Sequence, residues 1–251
     1  MNKVTTILNV YKRLPYLEDQ LQSIRNQTVP TDIWIDYTIA EGNEFYDLTE
    51  FGPDLKINAH INQNLYHFGR FYYALNVKTP YVFICDDDII PGEKYIENCI
   101  REIEENGDCL LGGYGLVLDP KENKYKPLRT YGWCSITSGG IPKTVDVDFV
   151  GHCWFIKTEY LKYIAYEQPL THLNGEDMHF SYMLQKHANI PVKVISQDPR
   201  DPSGWICDPR KGMRYGTDKH ATSVRKDHLE FRHQIVEHQR KKGWKLLSEE
   251  K

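Results

Sequence analysis

The chain has 251 residues, 40% of them hydrophobic and 26% charged, the composition of a packed globular protein with room for one sizeable α/β domain or two small ones. A formal net charge of −4 and a pI near 6.2 argue against a protein whose whole surface binds polyanions. No stretch approaches the roughly 20 apolar residues needed to cross a bilayer, and the first residues enter a strand-like segment rather than a signal peptide. No membrane span is therefore expected, and the cytoplasm is the default location.

Residues 4–10 are β-branched and apolar and read as a buried strand. Residues 14–27 follow with Leu14, Leu17, Leu21 and Ile24 at helical spacing, until Pro30 breaks the pattern. A second strand is expected over residues 33–39, a loop over 41–54, a short third strand over 57–61 and a helix over 68–77. The wholly apolar run Tyr81-Val82-Phe83-Ile84-Cys85 suits a central parallel strand covered on both faces. Residues 92–106 carry Ile96, Ile100 and Ile103 on one stripe, with Gly107 beyond the end of that helix. The second half is less regular. Residues 110–118 and 145–156 read as strands, 175–186 as a helix and 192–195 as a strand. Residues 198–216 hold three prolines and three glycines, a long loop of the kind that serves as a lid. A last helix is expected over 217–242, with Val224, Phe231 and Ile235 on one side.

Alternating strands and helices imply an α/β fold with a mostly parallel central sheet flanked by helices. Ligands in such sheets bind beyond the carboxyl ends of the strands. The six cysteines (Cys85, Cys99, Cys109, Cys134, Cys153 and Cys207) form no C-x-x-C pair, several lie in apolar stretches, and all are read as reduced small hydrophobes.

Asp86, Asp87 and Asp88 follow the apolar run directly. Three adjacent carboxylates repel one another, and folding leaves them ionised only where water or a cation offsets that repulsion. At the end of a buried strand a divalent cation answers best, and hard oxygen ligands suit Mn²⁺ or Mg²⁺. The plainer alternative is a solvated acidic turn in which Asp88 caps a helix.

The segment YVFICDDDIIPG, residues 81–92, resembles the D-x-D region of GT-A-fold glycosyltransferases, especially those like family 2. Thr6-Ile7-Leu8-Asn9-Val10-Tyr11-Lys12-Arg13 looks like that family's first strand and nucleotide loop, and Ser23-Ile24-Arg25-Asn26-Gln27-Thr28 is similar to its S-x-x-x-Q-T helix end. The likeness runs from residue 4 to residue 187, and the pieces in this order are more specific than any one alone. It implies a GT-A, Rossmann-like sheet with a smaller acceptor-side sheet. Residues 1–107 would form the nucleotide-binding half of a catalytic domain and 108–197 the acceptor-binding half. Residues 198–251 would add a lid loop and a helix to the same domain.

Carried over residue by residue, the resemblance places Val10, Tyr11 and Arg13 against the nucleotide. Tyr11 either stacks on a base or packs on the following helix, and Arg13 meets a phosphate. Many members carry an acidic pair and Gly-Ser after the second strand. Here Ile39-Ala40-Glu41-Gly42-Asn43 stands instead, so Glu41 is the base-reading candidate and the base stays open. Asn62-Gln63-Asn64-Leu65 through Gly69-Arg70 resembles the N-x-G-x-x-x-A-R region without its early glycine. It assigns Asn64 and Arg70 to the donor side, Arg70 facing either the nucleotide or the first Asp of the triplet. Asp86 and Asp87 would also contact the donor, and Asp88 with Asp86 would hold the metal, a Mn²⁺ or Mg²⁺. A late histidine, His220 in preference to His228, would complete the metal shell. Lys211, Arg214 and Lys219 would clamp the diphosphate once the loop closes over it.

Gly175-Glu176-Asp177 resembles the family's E-D motif, in which the Asp acts as general base on an acceptor hydroxyl. The alternative is an acidic helix N-cap. Glu176 is a catalytic candidate beside Asp177 or a ligand of acceptor hydroxyls. In Phe149-Val150-Gly151-His152-Cys153-Trp154-Phe155, Gly151 and Trp154 are the acceptor-side candidates. Trp154 stacks on a sugar or fills the core, and His152 is read as a structural histidine.

The expected function is transfer of a sugar from a nucleotide-diphosphate donor, a UDP-sugar, to a hydroxyl of a glycan or other acceptor, with inversion if Asp177 is the base. A sugar nucleotidyltransferase is disfavoured because no Gly-rich, Arg-containing loop follows the first strand. A noncatalytic nucleotide-sugar or carbohydrate-binding module is the rival from another class. Residues 208–245 hold eleven Lys or Arg against five Asp or Glu, which raises nucleic acid or an acidic glycan as acceptor. A helix with a solvated basic face explains the same run.

Overall fold

The computed structural model describes residues 2–11, 14–39, 45–61, 64–132, 140–207 and 222–249. An eight-stranded sheet in the order β3-β2-β1-β4-β10-β5-β11-β8 forms its centre. Its first half, β1 (Val4–Val10), β2 (Thr31–Ile39), β3 (Leu55–Ile61) and β4 (Tyr81–Cys85), is parallel throughout. Its second half mixes directions. β10 (Cys153–Lys157) runs antiparallel to β4 and to β5 (Leu110–Gly112), β11 (Val192–Val194) is parallel to β5, and β8 (Val145–Asp146) is antiparallel to β11. A smaller antiparallel sheet stacks β7 (Pro127–Gly132), β6 (Tyr114–Leu118) and β9 (Phe149–Gly151). The α/β class and its two sheets are as expected.

The period-2 alternation of β4 explains its composition. Tyr81, Phe83 and Cys85 face α1 (Leu17–Arg25) and α3 (Tyr95–Asn106), joining Leu17, Leu21, Ile24, Ile96, Ile100 and Ile103 in one core. Val82 and Ile84 face the other way, onto α2 (Gly69–Ala74) and α4 (Glu176–Ala188), with Phe71, Ala74, Phe180 and Leu184. A third core joins Leu116, Leu118 and Phe149 of the small sheet to Met178 and Tyr182 of α4 and to Ile235 and Val236 of α5 (His228–Lys241). That core ties the C-terminal helix to α4.

Residues 110–118 and 145–156 are not single strands. The first switches sheets at Gly113, between β5 and β6, and the second switches twice, between β8 and β9 and again at His152, between β9 and β10. Gly113 permits the crossing because a Cβ there would lie 2.1 Å from Ile206 Cβ. His152 turns with φ +65°, in the left-handed region. The first helix starts with a 3-10 turn at Leu14–Tyr16, where Pro15 lacks an N–H, and becomes α-helical only from Leu17. The helices expected from residues 68 and 92 begin at Gly69 and Tyr95. The last begins at His228, not at residue 217. Thr222–Val224 is a separate 3-10 turn with Val224 exposed, and residues 217–221 lie outside the described residues.

Candidate active site

The acidic triplet leaves the carboxyl end of β4, in the middle of the sheet. The ladder with β10 runs one step further, Asp86 N–H donating to His152 O at 2.9 Å, so the triplet and His152 leave the sheet side by side. α1 holds this turn from behind. Gln20, 1% exposed, donates from Nε2 to Asp86 O (2.6 Å) and Ile89 O (3.1 Å). Ser23 Oγ donates to Pro91 O (2.7 Å), and Gln27 Nε2 to Gly92 O (2.8 Å). Gln27 Oε1 accepts from the Ile96 N–H in the first turn of α3 (3.1 Å), and Thr28 Oγ1 donates to Glu97 Oε2 (2.8 Å). The S-x-x-x-Q-T pattern is thus a clamp on the segment that carries the aspartates.

Asp86, Asp88 and His152 each offer one ligand atom, and these atoms lie within 4.8 Å of one another. Two carboxylate oxygens and an imidazole make a donor set that fits Mn²⁺ or Mg²⁺ and favours Mn²⁺, since imidazole is a poor ligand for Mg²⁺. Burial lowers the His152 pKa, against the opposing pull of Asp88 and Asp177, and a neutral imidazole is the metal-binding form.

Arg70, from the first turn of α2, is buried (3% exposed) and joins two motifs. Its Nη2 lies 2.8 Å from Asp86 Oδ1 and 2.9 Å from Glu176 Oε1. Its Nη1 reaches Asn9 Oδ1 at 3.5 Å, and the guanidinium sits 5.0 Å from the centroid of the Trp154 ring. Burial alone would weaken its charge, but Asp86, Glu176 and Asp87 together raise its pKa. Glu176 responds differently. Burial, with Asp177 adjoining, pushes its carboxyl up to about 7 in spite of Arg70.

Asp177 is also buried (7% exposed). Its Oδ2 accepts from Arg232 Nη2 of α5 at 2.7 Å, and its Oδ1 accepts from the Met178 N–H at 2.7 Å. Gly151 faces it, and a Cβ there would stand 3.8 Å from Asp177 Oδ2. Close by, His67 Nε2 meets Thr222 Oγ1 at 3.2 Å, and burial lowers the His67 pKa to about 3.

The site therefore gathers Asp86, Asp88, Arg70, Glu176, Asp177 and Gly151 from the sequence-derived set. Val10 closes β1, buried, and Tyr11 follows it half-buried at the same sheet edge as Asp87. Asn64 accepts from Tyr66 N–H at 2.7 Å, closing the turn that leads into α2. Trp154 does not belong to an acceptor surface. It is 1% exposed, its ring meets Phe71 edge-on at 5.0 Å, and it forms the floor beneath Arg70, because its position in β10 points it at α2. Arg13, Glu41, His220, Lys211, Arg214 and Lys219 lie outside the described residues. His228 Nδ1 pairs with Asn174 Nδ2 (3.2 Å) and is not in the metal-binding group. His152, Gln20 and Arg232 were missed. Only Gln20, one helical turn before Ser23 in a recognised motif, carried any signal.

Much of the described basic C-terminal run is paired within the fold. Arg225 pairs with Asp227, Arg232 with Asp177, Arg240 with Glu249, Lys241 with Glu237 and Lys242 with Glu167. Among the described residues, no helix is long and apolar enough to cross a membrane.

No family model matches the chain, and no curated protein matches it in sequence. Solved structures do match. Fragment 1-349 of S. aureus TarS superposes with TM-score 0.54 at 16% identity over 78% of this chain and 58% of that one. A longer TarS structure gives 0.55 at 16% identity over 78% and 35%. Fragment 1-349 in complex with UDP-GlcNAc gives 0.53 at 15% over 78% and 56%. The matched region spans between about a third and three-fifths of those chains. Such identities speak to architecture alone, and with the order of the two sheets they show the fold: the chain has the GT-A fold, in the arrangement seen in S. aureus TarS.

Proposed function

We propose that the chain is a metal-dependent glycosyltransferase that moves a sugar from a UDP-sugar to an acceptor hydroxyl, inverting the anomeric carbon. The observation that carries this reading is Arg70, whose single Nη2 joins Asp86 of the triplet to Glu176 of the E-D pair, 106 residues along the chain from Arg70. Two motifs with separate chemistry thereby meet at one site beyond the carboxyl end of β4. Support for a uridine donor comes from the fold neighbour solved with UDP-GlcNAc.

Asp86, Asp88 and His152 would hold a divalent ion, which would supply positive charge to offset the charge developing on the departing diphosphate. Val10 and Tyr11, with Arg13, Glu41, Asn64 and Asp87, would line the nucleotide side. Arg70 keeps Asp86 and Glu176 fixed, and its charge balances that of Asp86. Asp177, faced by Gly151 with no side chain between them, takes the proton of the acceptor hydroxyl. The acceptor oxygen then bonds to the anomeric carbon, and the bond from that carbon to the diphosphate oxygen breaks, with its electrons leaving on the diphosphate. Attack opposite the leaving group inverts the centre. Glu176, with its raised pKa, is placed to donate a hydrogen bond to an acceptor hydroxyl near pH 7 while it keeps its proton.

The test is calorimetry with a panel of UDP-sugars, with Mn²⁺ and with EDTA, on the parent and on Asp177→Asn. Mn²⁺-dependent binding by both, with UDP release lost only in Asp177→Asn, is expected. Equal binding and no turnover by either would instead mark a noncatalytic binding module.

A further inference from the structure

We propose that Arg232, brought in by the C-terminal helix α5, is a positioning residue for Asp177: it fixes the carboxylate so that one oxygen points at the acceptor. This rests on the reading of Asp177 as the base.

The geometry is that of a held group. The Arg232 guanidinium packs against two neighbouring aromatic rings, 4.7 Å from the centroid of Tyr125 and 5.3 Å from that of Phe149. Its Nη1 reaches Asn174 Oδ1 at 3.4 Å and its Nη2 reaches Asp177 Oδ2 at 2.7 Å, with the side chain 9% exposed. The other carboxylate oxygen is engaged by the Met178 N–H. Both oxygens are thus anchored on defined sides, and rotation of the Asp177 carboxylate about its Cβ–Cγ bond is restrained.

The pair is poorly explained as a device for stability alone. A buried ion pair commonly contributes no more than well-packed apolar side chains of the same volume would. Here one donor also goes unused, since Arg232 Nε is buried with no hydrogen-bond partner among the described residues. What an arginine in this place supplies is direction. Gly151 places no side chain against the very oxygen that Arg232 holds, where a Cβ would be in van der Waals contact at 3.8 Å. Gly175, with φ +82° and Ile235 Cδ1 2.3 Å from where its Cβ would stand, lets α5 dock tightly against the start of α4. α5 is therefore part of the site and not an appendage, and its docking sets the base.

The experiment uses the full chain, UDP-GlcNAc as donor, Mn²⁺ and water as acceptor, and follows UDP release. Variants are Arg232→Met, Arg232→Lys, Asp177→Asn and the double variant with Arg232→Met and Asp177→Asn. Mn²⁺-dependent UDP-GlcNAc binding reports that each variant is folded. Arg232→Lys serves if Arg232→Met does not fold, because it keeps a cation beside the buried carboxylate. The expected result is a fall in kcat of about 100-fold, the scale of a misplaced catalytic group, in both Arg232 variants with the donor KM unchanged. The double variant should be no slower than Asp177→Asn, because the two residues act as one unit. A folded Arg232 variant with parental kcat, or losses that multiply in the double variant, overturns the proposal while leaving Asp177 as base. A parent that releases no UDP, or an Asp177→Asn variant as fast as the parent, overturns the base assignment and this inference with it.

Discussion

Glu176 lies 2.9 Å from the Arg70 guanidinium, and its carboxyl is nevertheless pushed up to about 7. Burial is the largest cause and outweighs the arginine, whose charge is already shared with Asp86. A carboxyl whose folded pKa exceeds its unfolded value, 4.5 here, binds its proton more tightly when folded. Its contribution to stability is complete below about pH 4.5 and is lost as pH rises through about 7. Replacing it by Gln removes a pH dependence on the order of a few kcal/mol over that window. Urea unfolding of the parent and of Glu176→Gln at intervals from pH 4.5 to 8 should show the variant losing less stability with rising pH. Parallel curves would mean that Glu176 is ionised across the window.

Arg70 holds two carboxylates that burial would otherwise leave facing each other. Arg70→Met should cost about 3–5 kcal/mol, the usual consequence of removing one partner from a buried ionic group, and should abolish Mn²⁺-dependent UDP-sugar binding. Arg70→Lys should restore only part of either property. An ammonium lacks the flat face that lies over Trp154 and the planar fork that spans Asp86, Glu176 and Asn9. Thermal unfolding and donor calorimetry on the two variants check this, and a Lys variant equal to the parent would leave only the charge to matter.

How much of this was legible in the sequence depends on the range of each interaction. The apolar run of β4 and the triplet after it are adjacent in sequence, so run length and charge identify them directly. The S-x-x-x-Q-T pattern was recognisable, but its purpose was not. Ser23 and Gln27 act on Pro91 and Gly92, which only the fold brings near. The sheet switches at Gly113 and His152 were hidden because hydrophobicity continues through both, and a periodic pattern does not say which sheet a strand joins. His152 gave no sign of its left-handed backbone, since glycine is the residue that usually marks one. Arg232 was invisible because its partner lies 55 residues away and its helix reads as an ordinary basic helix.

Trp154 tests the boundary between core and acceptor surface. Its ring packs against both Phe71 and Arg70 and is 1% exposed, so Trp154→Ala leaves a large cavity and should cost about 3–5 kcal/mol. Trp154→Phe keeps most of the volume and should cost less. Any effect on turnover should come through Arg70, as weaker donor binding. A rise in acceptor KM with stability and donor binding intact would put the indole back on the acceptor side.

His152 carries strain that glycine would not. At φ +65° a side chain costs on the order of 1 kcal/mol, and the ring recovers part of this from its edge-on contact with Tyr114 at 5.0 Å. His152→Gly should therefore leave the metal-free stability within about 1 kcal/mol of the parent. If the imidazole is kept at this strained corner to complete a set with Asp86 and Asp88, the same substitution should weaken Mn²⁺ binding by at least about 10-fold. The gain in thermal stability on adding Mn²⁺ should shrink accordingly, since ligand stabilisation follows affinity. Strain without function predicts the opposite pattern, with the glycine variant as stable and its Mn²⁺ response intact. Melting curves of parent and variant across a Mn²⁺ titration separate the two, because strain relief acts on the metal-free baseline and ligand loss acts only on the slope.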